Sequence, residues 1–167
     1  MSSVVLTISG RTVAGEDVLI SKLLHMYARY AESQGWRVQS VPTTGSPTEP
    51  FKEVVTLING ENAYRKLRYE NGVHRIQWVP TTEQQGRIFT AKLVVTVADK
   101  EGSQKVLGTA NGKIRTYNIP QNRATDHRVG LTSYELDLIL DGKLDPIIQA
   151  LASLQGDPPT PDPSRPA

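Results

Sequence analysis

The hydrophobic positions of the chain change period several times, and the changes mark its elements. Val4 to Ile8 is a short run rich in β-branched residues and predicts a first strand. From Gly15 to Gln34 the period becomes helical. Leu19, Leu23, Met26, Tyr27 and Tyr30 recur at three- and four-residue spacing and form one apolar stripe, which reads as a face packed on a core. Glu16 and Asp17 fall in the first turn of that helix, where acidic groups suit its dipole, and Gly35 is a stop signal. Trp36 to Val41 and Glu53 to Ile58 predict strands on either side of a Thr-, Ser-, Gly- and Pro-rich loop at 42–50. Glu61 to Tyr69 predicts a short helix. Val73 to Val79 and Thr90 to Val97 predict two more strands, with Pro80-Thr81-Thr82 opening the loop between them.

Beyond that pair the pattern loosens. Residues 99–112 are polar and glycine-containing, and read as a connector. Ile114 to Ile119 predicts one further strand. Tyr134 to Leu154 is amphipathic, and Asp141-Gly142-Lys143 predicts a break that splits it into two helices. Residues 156–167 carry Pro158, Pro159, Pro161, Pro163 and Pro166 and predict a disordered or polyproline-like tail. There is no internal repeat. The mixture predicts an α+β fold, a mostly antiparallel sheet with packed helices, as one domain over residues 1–155 followed by the tail.

Composition changes this picture little. A hydrophobic fraction of 38% with 22% charged residues suits a soluble globular chain, and no apolar run approaches the length that spans a bilayer, so no membrane partner is expected. The first residues, without a basic region before a short apolar stretch, read as a strand rather than a signal peptide. The chain has no cysteine, which removes disulfides and thiolate zinc sites and fits a cytoplasmic localisation. The net charge of +2 is weak, but its distribution is uneven. Lys113, Arg115, Arg123 and Arg128 are opposed only by Asp126 in their segment. A second cluster runs through Arg65, Lys66, Arg68, His74, Arg75 and Arg87, against Glu61, Glu70 and Glu83. A local basic face binds phosphate even when the total charge is near zero.

Catalytic patterns are weak. His25, His74 and His127 have no metal-ligand spacing, and no nucleophile elbow or phosphate-binding glycine loop is present. No metal, no cofactor and no enzymatic activity are expected. Asp126-His127-Arg128 suggests acid/base chemistry in isolation, but within its signature it reads as ordering a strand junction or touching RNA phosphate. The richest chemistry lies in residues 74–90, where small hydrogen-bonding groups, a ring and a cation share one loop. Single-stranded RNA is read with such groups: base-edge hydrogen bonds, stacking and backbone charge.

Several long motifs resemble, in the same order, the decoding domain of bacterial and organellar class I peptide chain release factors. They are Glu61-Asn62-Ala63-Tyr64, Tyr69-Glu70-Asn71-Gly72-Val73-His74-Arg75, Val79-Pro80-Thr81-Thr82-Glu83 and Gln85-Gly86-Arg87-Ile88. Lys113-Ile114-Arg115-Thr116-Tyr117-Asn118-Ile119-Pro120 and Arg123-Ala124-Thr125-Asp126-His127-Arg128 follow, and Leu144-Asp145-Pro146-Ile147-Ile148 continues the likeness. The resemblance covers residues 4–152. It implies that Pro80-Thr81-Thr82 corresponds to the tripeptide of factors that read UAA and UAG. Thr82 would then address the second codon base, and Gln77 and Thr90 the third. A hydroxyl and a carboxamide both donate and accept, so such groups tolerate adenine or guanine. Arg87, Arg115, Arg123, His127 and Arg128 would lie against RNA, and Glu16 would supply an acidic group near the first base or stabilise the helix N-terminus.

The chain departs from the family in three places. Phe89 stands where the family usually has the His that inserts between codon bases; Phe can stack but has no ring nitrogen. The glycine-rich turn before the long helix is matched only loosely by Gly10 to Asp17. Most importantly, the family carries a Gly-Gly-Gln motif on a separate hydrolytic domain, and no Gly-Gly pair occurs in this chain. In family order that domain lies between Val97 and Arg115, where this chain has only the connector 99–112; Gly102-Ser103-Gln104 is a superficial echo. The family's N-terminal helical domain is also unmatched. The resemblance therefore implies a partner in the small-subunit decoding site, rRNA and mRNA, and stop-codon recognition without peptidyl-tRNA hydrolysis, modulating termination or ribosome rescue. Two alternatives stay open: a decoding subunit served by a Gly-Gly-Gln partner in trans, and a general RNA-binding module.

Overall fold

The computed structural model describes residues 2–11, 17–41, 51–81, 83–99 and 113–156. In Ser2–Arg11 (β1), Val4, Leu6 and Ile8 are buried and the residues between them are half-buried. That alternation commits one face of the strand to a core. The other strands are Arg37–Val41 (β2), Phe51–Gly60 (β3), Gly72–Trp78 (β4), Phe89–Asp99 (β5), Lys113–Asn118 (β6), Arg123–Asp126 (β7) and Leu131–Ser133 (β8). Among the described residues they form one eight-stranded sheet in the order β2-β3-β1-β5-β4-β6-β7-β8. Neighbours run antiparallel except β4 and β6, which are parallel. The fold is thus α+β with a mostly antiparallel sheet.

Helix Asp17–Gln34 (α1) lays Leu19, Leu23, Met26, Tyr27 and Tyr30 into the core with Val4, Leu6, Ile8, Val95 and Val97. Each such side chain contributes about 1.5–3 kcal/mol when fully buried. Most helical stability in proteins comes from packing of the apolar face, so the stripe is what holds α1 in place. Ala63–Leu67 (α2) is shorter than the sequence pattern suggests. Asn62 takes a left-handed conformation just before it, and a 3₁₀ turn, Arg68–Glu70, follows.

Leu136–Leu140 (α3) and Asp145–Leu154 (α4) are separate helices, as the break at 141–143 predicts. The break is a glycine for a steric reason. Gly142 has φ +105°, and a Cβ there would lie 2.8 Å from the backbone nitrogen of Tyr30 in α1. The close approach is fastened by Tyr30 donating to Asp145 Oδ1 at 2.9 Å.

The connections sort to two ends of the sheet. Gln77 of β4 pairs with Thr90 of β5 and with Asn118 of β6 at one end, where the β4–β5 loop and the β6–β7 turn emerge. At the other end Gly72 pairs with Val95 and Val73 with Lys113. The end of β5 and the start of β6 therefore share the end opposite the β4–β5 loop. The connector beyond Asp99, the loop 42–50 and the tail from Asp157 lie outside the described residues.

Candidate RNA-decoding site

The β4–β5 loop is organised by an acid. Glu83 donates its backbone N–H to Pro80 O at 3.0 Å, closing the turn. Its carboxylate accepts the backbone N–H of Gln85 at 2.8 Å and Nε of Arg87 at 3.2 Å, and only 5% of its side chain is exposed. Glu83 is the residue that sequence reasoning missed here, since it read only as a charge set against neighbouring cations. Arg87 is exposed but paired, and Thr81 is exposed beside buried Pro80. Thr82 and Glu16 lie outside the described residues, so their expected codon contacts have no geometry.

Register places the other predicted readers. Thr90, Gln77, Asn118 and Arg123 are successive cross-strand partners and form one row on one face of the sheet. The next residues inward, Ala91, Ile76, Tyr117 and Ala124, are all buried and belong to the helix-covered face. The reader row therefore lies on the opposite, open face. Phe89 pairs with Trp78, which puts its ring on the side away from Gln77 and Thr90. Phe89 is 37% exposed and Trp78 buried, so a stacking surface and a hydrogen-bonding pair flank the end of the same two strands. Asn118, absent from the sequence-based set, accepts the Gln121 N–H at 3.1 Å and fixes the β6–β7 turn that carries Arg123 into the row.

The second signature does something different from what the resemblance suggests. Arg115, expected against RNA, is fully buried. It forks onto Glu70 through Nη1 at 2.6 Å and Nη2 at 2.8 Å, gives Nε to Asp126 at 3.1 Å, and donates to the Tyr117 hydroxyl at 3.0 Å. A guanidinium with these partners is a core cation and presents nothing to a phosphate. Arg128 is mostly committed too. It reaches both Asp126 oxygens, at 3.2 and 2.9 Å, and the Tyr69 carbonyl at 2.6 Å. Of the two readings of Asp126-His127-Arg128, the geometry supports the ordering of a strand junction, at the end away from the codon loop.

Two carboxylates and two guanidiniums balance inside this network, as buried charges must. Burial alone would raise the Glu70 carboxyl, but the charge and hydrogen bonds of Arg115 outweigh it and lower its pKa to about 2. Burial, reinforced by Arg115, lowers His74 to about 4, so its ring is neutral. Asn71 completes the motif. Its side chain accepts the Val97 N–H at 2.6 Å and donates to the Val97 carbonyl at 3.1 Å, standing in for a strand partner where β4 begins. His127 is exposed and shares a 2.6 Å hydrogen bond with Thr116 Oγ1. Partial desolvation, then Lys113 and Arg75, hold its pKa below the usual value against Asp126. Among the described residues no group of side chains could hold a metal ion, and no helix is long and apolar enough to cross a membrane.

The fold is a mostly antiparallel sheet with packed helices, a polar row at one end and a loop that opens at a proline, and comparison supplies the family. The model of the PCRF domain matches residues 3–95. The chain belongs to the class I peptide chain release factor family. It is 31% identical to peptide chain release factor 1 of Bacillus subtilis (strain 168), over 89% of this chain and 66% of the relative. With that of Geobacillus kaustophilus (strain HTA426) the identity is 33%, over 82% of this chain and 62% of the relative. The chain thus spans less than two thirds of these relatives. The alignments run over 234 and 223 residues, more than the 167 of this chain, so the relatives hold internal sequence that it lacks. The fold is shared with RF2 of Thermus thermophilus at a TM-score of 0.78 and 22% identity, over 93% of this chain and 68% of that one.

Proposed function

We propose that this protein binds the decoding site of the ribosome and recognises stop codons of the UAA and UAG type without hydrolysing peptidyl-tRNA. The observation that carries the reading is the pairing of Gln77 with Thr90 at the end of the sheet where Pro80 and Thr81 emerge. An amide and a hydroxyl side by side accept or donate to either purine at one codon position. Phe89, on the other side of the strand pair, offers a ring for the preceding base. Stacking on an aromatic side chain is worth about 1–3 kcal/mol per base. The residues bridging β5 and β6, where the family resemblance locates a hydrolytic domain, number too few for a domain and contain no Gly-Gly pair. The protein accordingly acts in the cytoplasm as a competitor or modulator of termination, or marks a stalled ribosome for another factor.

The test is binding to ribosomes with UAA, UAG, UGA or a sense codon in the A site. UAA and UAG should bind tighter than UGA and sense codons, and Thr82→Ala should lose the preference at the second base. Equal binding to all four would end the stop-codon reading. Peptide release by the protein alone should be absent. Release on adding a Gly-Gly-Gln protein would favour action in trans.

A further inference from the structure

The open face of the sheet carries a charge pattern that codon reading does not use. Lys92, Arg75, Thr116, Thr125 and Thr132 are successive cross-strand partners from β5 through β4, β6 and β7 to β8. They form a second row, next to the reader row and parallel to it. Four interstrand steps of about 4.8 Å give the row a width of roughly 19 Å. A register shift between Val73 and His74 brings Lys113 onto the same face. No Asp or Glu occupies an outward position on these five strands. Lys92, Arg75 and Lys113 form no ion pair among the described residues, and half-buried Arg75 keeps its Nε buried without a hydrogen-bond partner. The local field is positive enough to help keep the His127 imidazole below its usual pKa.

The strand positions of this face carry no rings, and the one imidazole against them among the described contacts is that of His127, from the turn after β7, held on the Thr116 hydroxyl. Trp78 and Tyr117 point to the helix-covered side, and the outward positions of β4 to β8 hold no aromatic residue. Sheets that bind single-stranded RNA stack bases on aromatic side chains, so this face is poorly suited to an unpaired strand. Cations beside a line of hydroxyls suit A-form duplex, which displays phosphates and 2′-hydroxyls across a wide, shallow minor groove.

We propose that the open face of β4 to β8 docks on the backbone of duplex RNA, with Arg75, Lys92 and Lys113 on phosphates and the three threonines toward 2′-hydroxyls. The proposal rests on the ribosomal reading above only for the source of the duplex, a helix of ribosomal RNA beside the decoding site.

The experiment is a salt titration of binding to an RNA hairpin of about 16 base pairs that contains no stop codon. The combined variant Arg75→Gln, Lys92→Gln, Lys113→Gln should bind more weakly, and its slope of log affinity against log salt should fall by about three, one per lost phosphate contact. Lys22→Gln, which removes a cation from the exposed side of α1, should leave the slope unchanged. The three substituted side chains lie on the surface face, and an unchanged thermal transition will show that the variant is folded. An unaltered slope in the triple variant, an equal loss in Lys22→Gln, or tighter wild-type binding to an unpaired strand of equal charge would overturn the proposal. On programmed ribosomes the triple variant should lose affinity for every codon alike while keeping the UAA-to-UGA ratio. Absence of that ratio in the wild type would overturn codon reading and leave this face standing.

Discussion

A histidine placed between a carbonyl oxygen and a tyrosine hydroxyl has one workable tautomer. His74 Nε2 lies 2.8 Å from the Glu70 carbonyl, which can only accept, so Nε2 carries the hydrogen. Nδ1, 2.8 Å from the Tyr117 hydroxyl, then accepts. A second proton would displace that hydrogen bond and add charge beside Arg115. His74 takes a proton near pH 6.5 in the unfolded chain and only near 4 in the fold. Its depressed pKa means that its contribution to stability is complete above 6.5 and lost as pH falls toward 4. The loss is on the order of 3 kcal/mol. Glu70 follows lower, between its ordinary 4.5 and about 2. Urea unfolding should show a midpoint that falls between pH about 7 and about 4; a flat midpoint over that range would contradict the neutral, buried histidine. The sequence displays His74 and Glu70 inside a motif but not this role. Their partner Arg115 lies far along the chain, and a polar residue buried by long-range pairing leaves no mark on hydrophobic period.

At the scale of elements, the long strands and the split C-terminal helices were legible because their periodicity extends over many residues. The strands β7 and β8 were not. They are short and polar, and their core-side positions are filled by Ala124, Asp126 and the half-buried Leu131 and Ser133 rather than by large apolar groups. What holds β7 is the ion network, with Asp126 receiving Arg115 from β6 and Arg128 from the following turn. That network also ties β6 to the turn before β4 through Glu70, and to α1 through the Tyr27 hydroxyl, 2.9 Å from Glu70. Arg115→Met would strand two carboxylates without their shared cation. Removing one partner of a buried pair costs about 3–5 kcal/mol. The variant should melt well below the wild type. A wild-type melting temperature with weakened RNA binding would instead restore Arg115 to the RNA contacts from which its burial removes it.

Across the whole molecule, side-chain chemistry divides by end and by face. The reader row and the β4–β5 loop occupy one end of the sheet, and the anchors of residues 100–112 occupy the other. One face packs α1 and the core, and the other presents cations and hydroxyls. The motifs in the sequence grouped Gln77 with Thr90, and the sheet pairs the two at one end across thirteen positions of chain. They did not separate that end from Arg115, His127 and Arg128, because one-dimensional proximity to Arg123 conceals the reversal of direction between β6 and β7. The measurement that tests the account most directly is a structure of this protein on a ribosome with UAA in the A site. The predicted result places Gln77 and Thr90 within hydrogen-bond distance of the third base, with the end of β5 and the start of β6 directed away from the codon. A complex in which the β4–β5 loop makes no contact with the codon would contradict it.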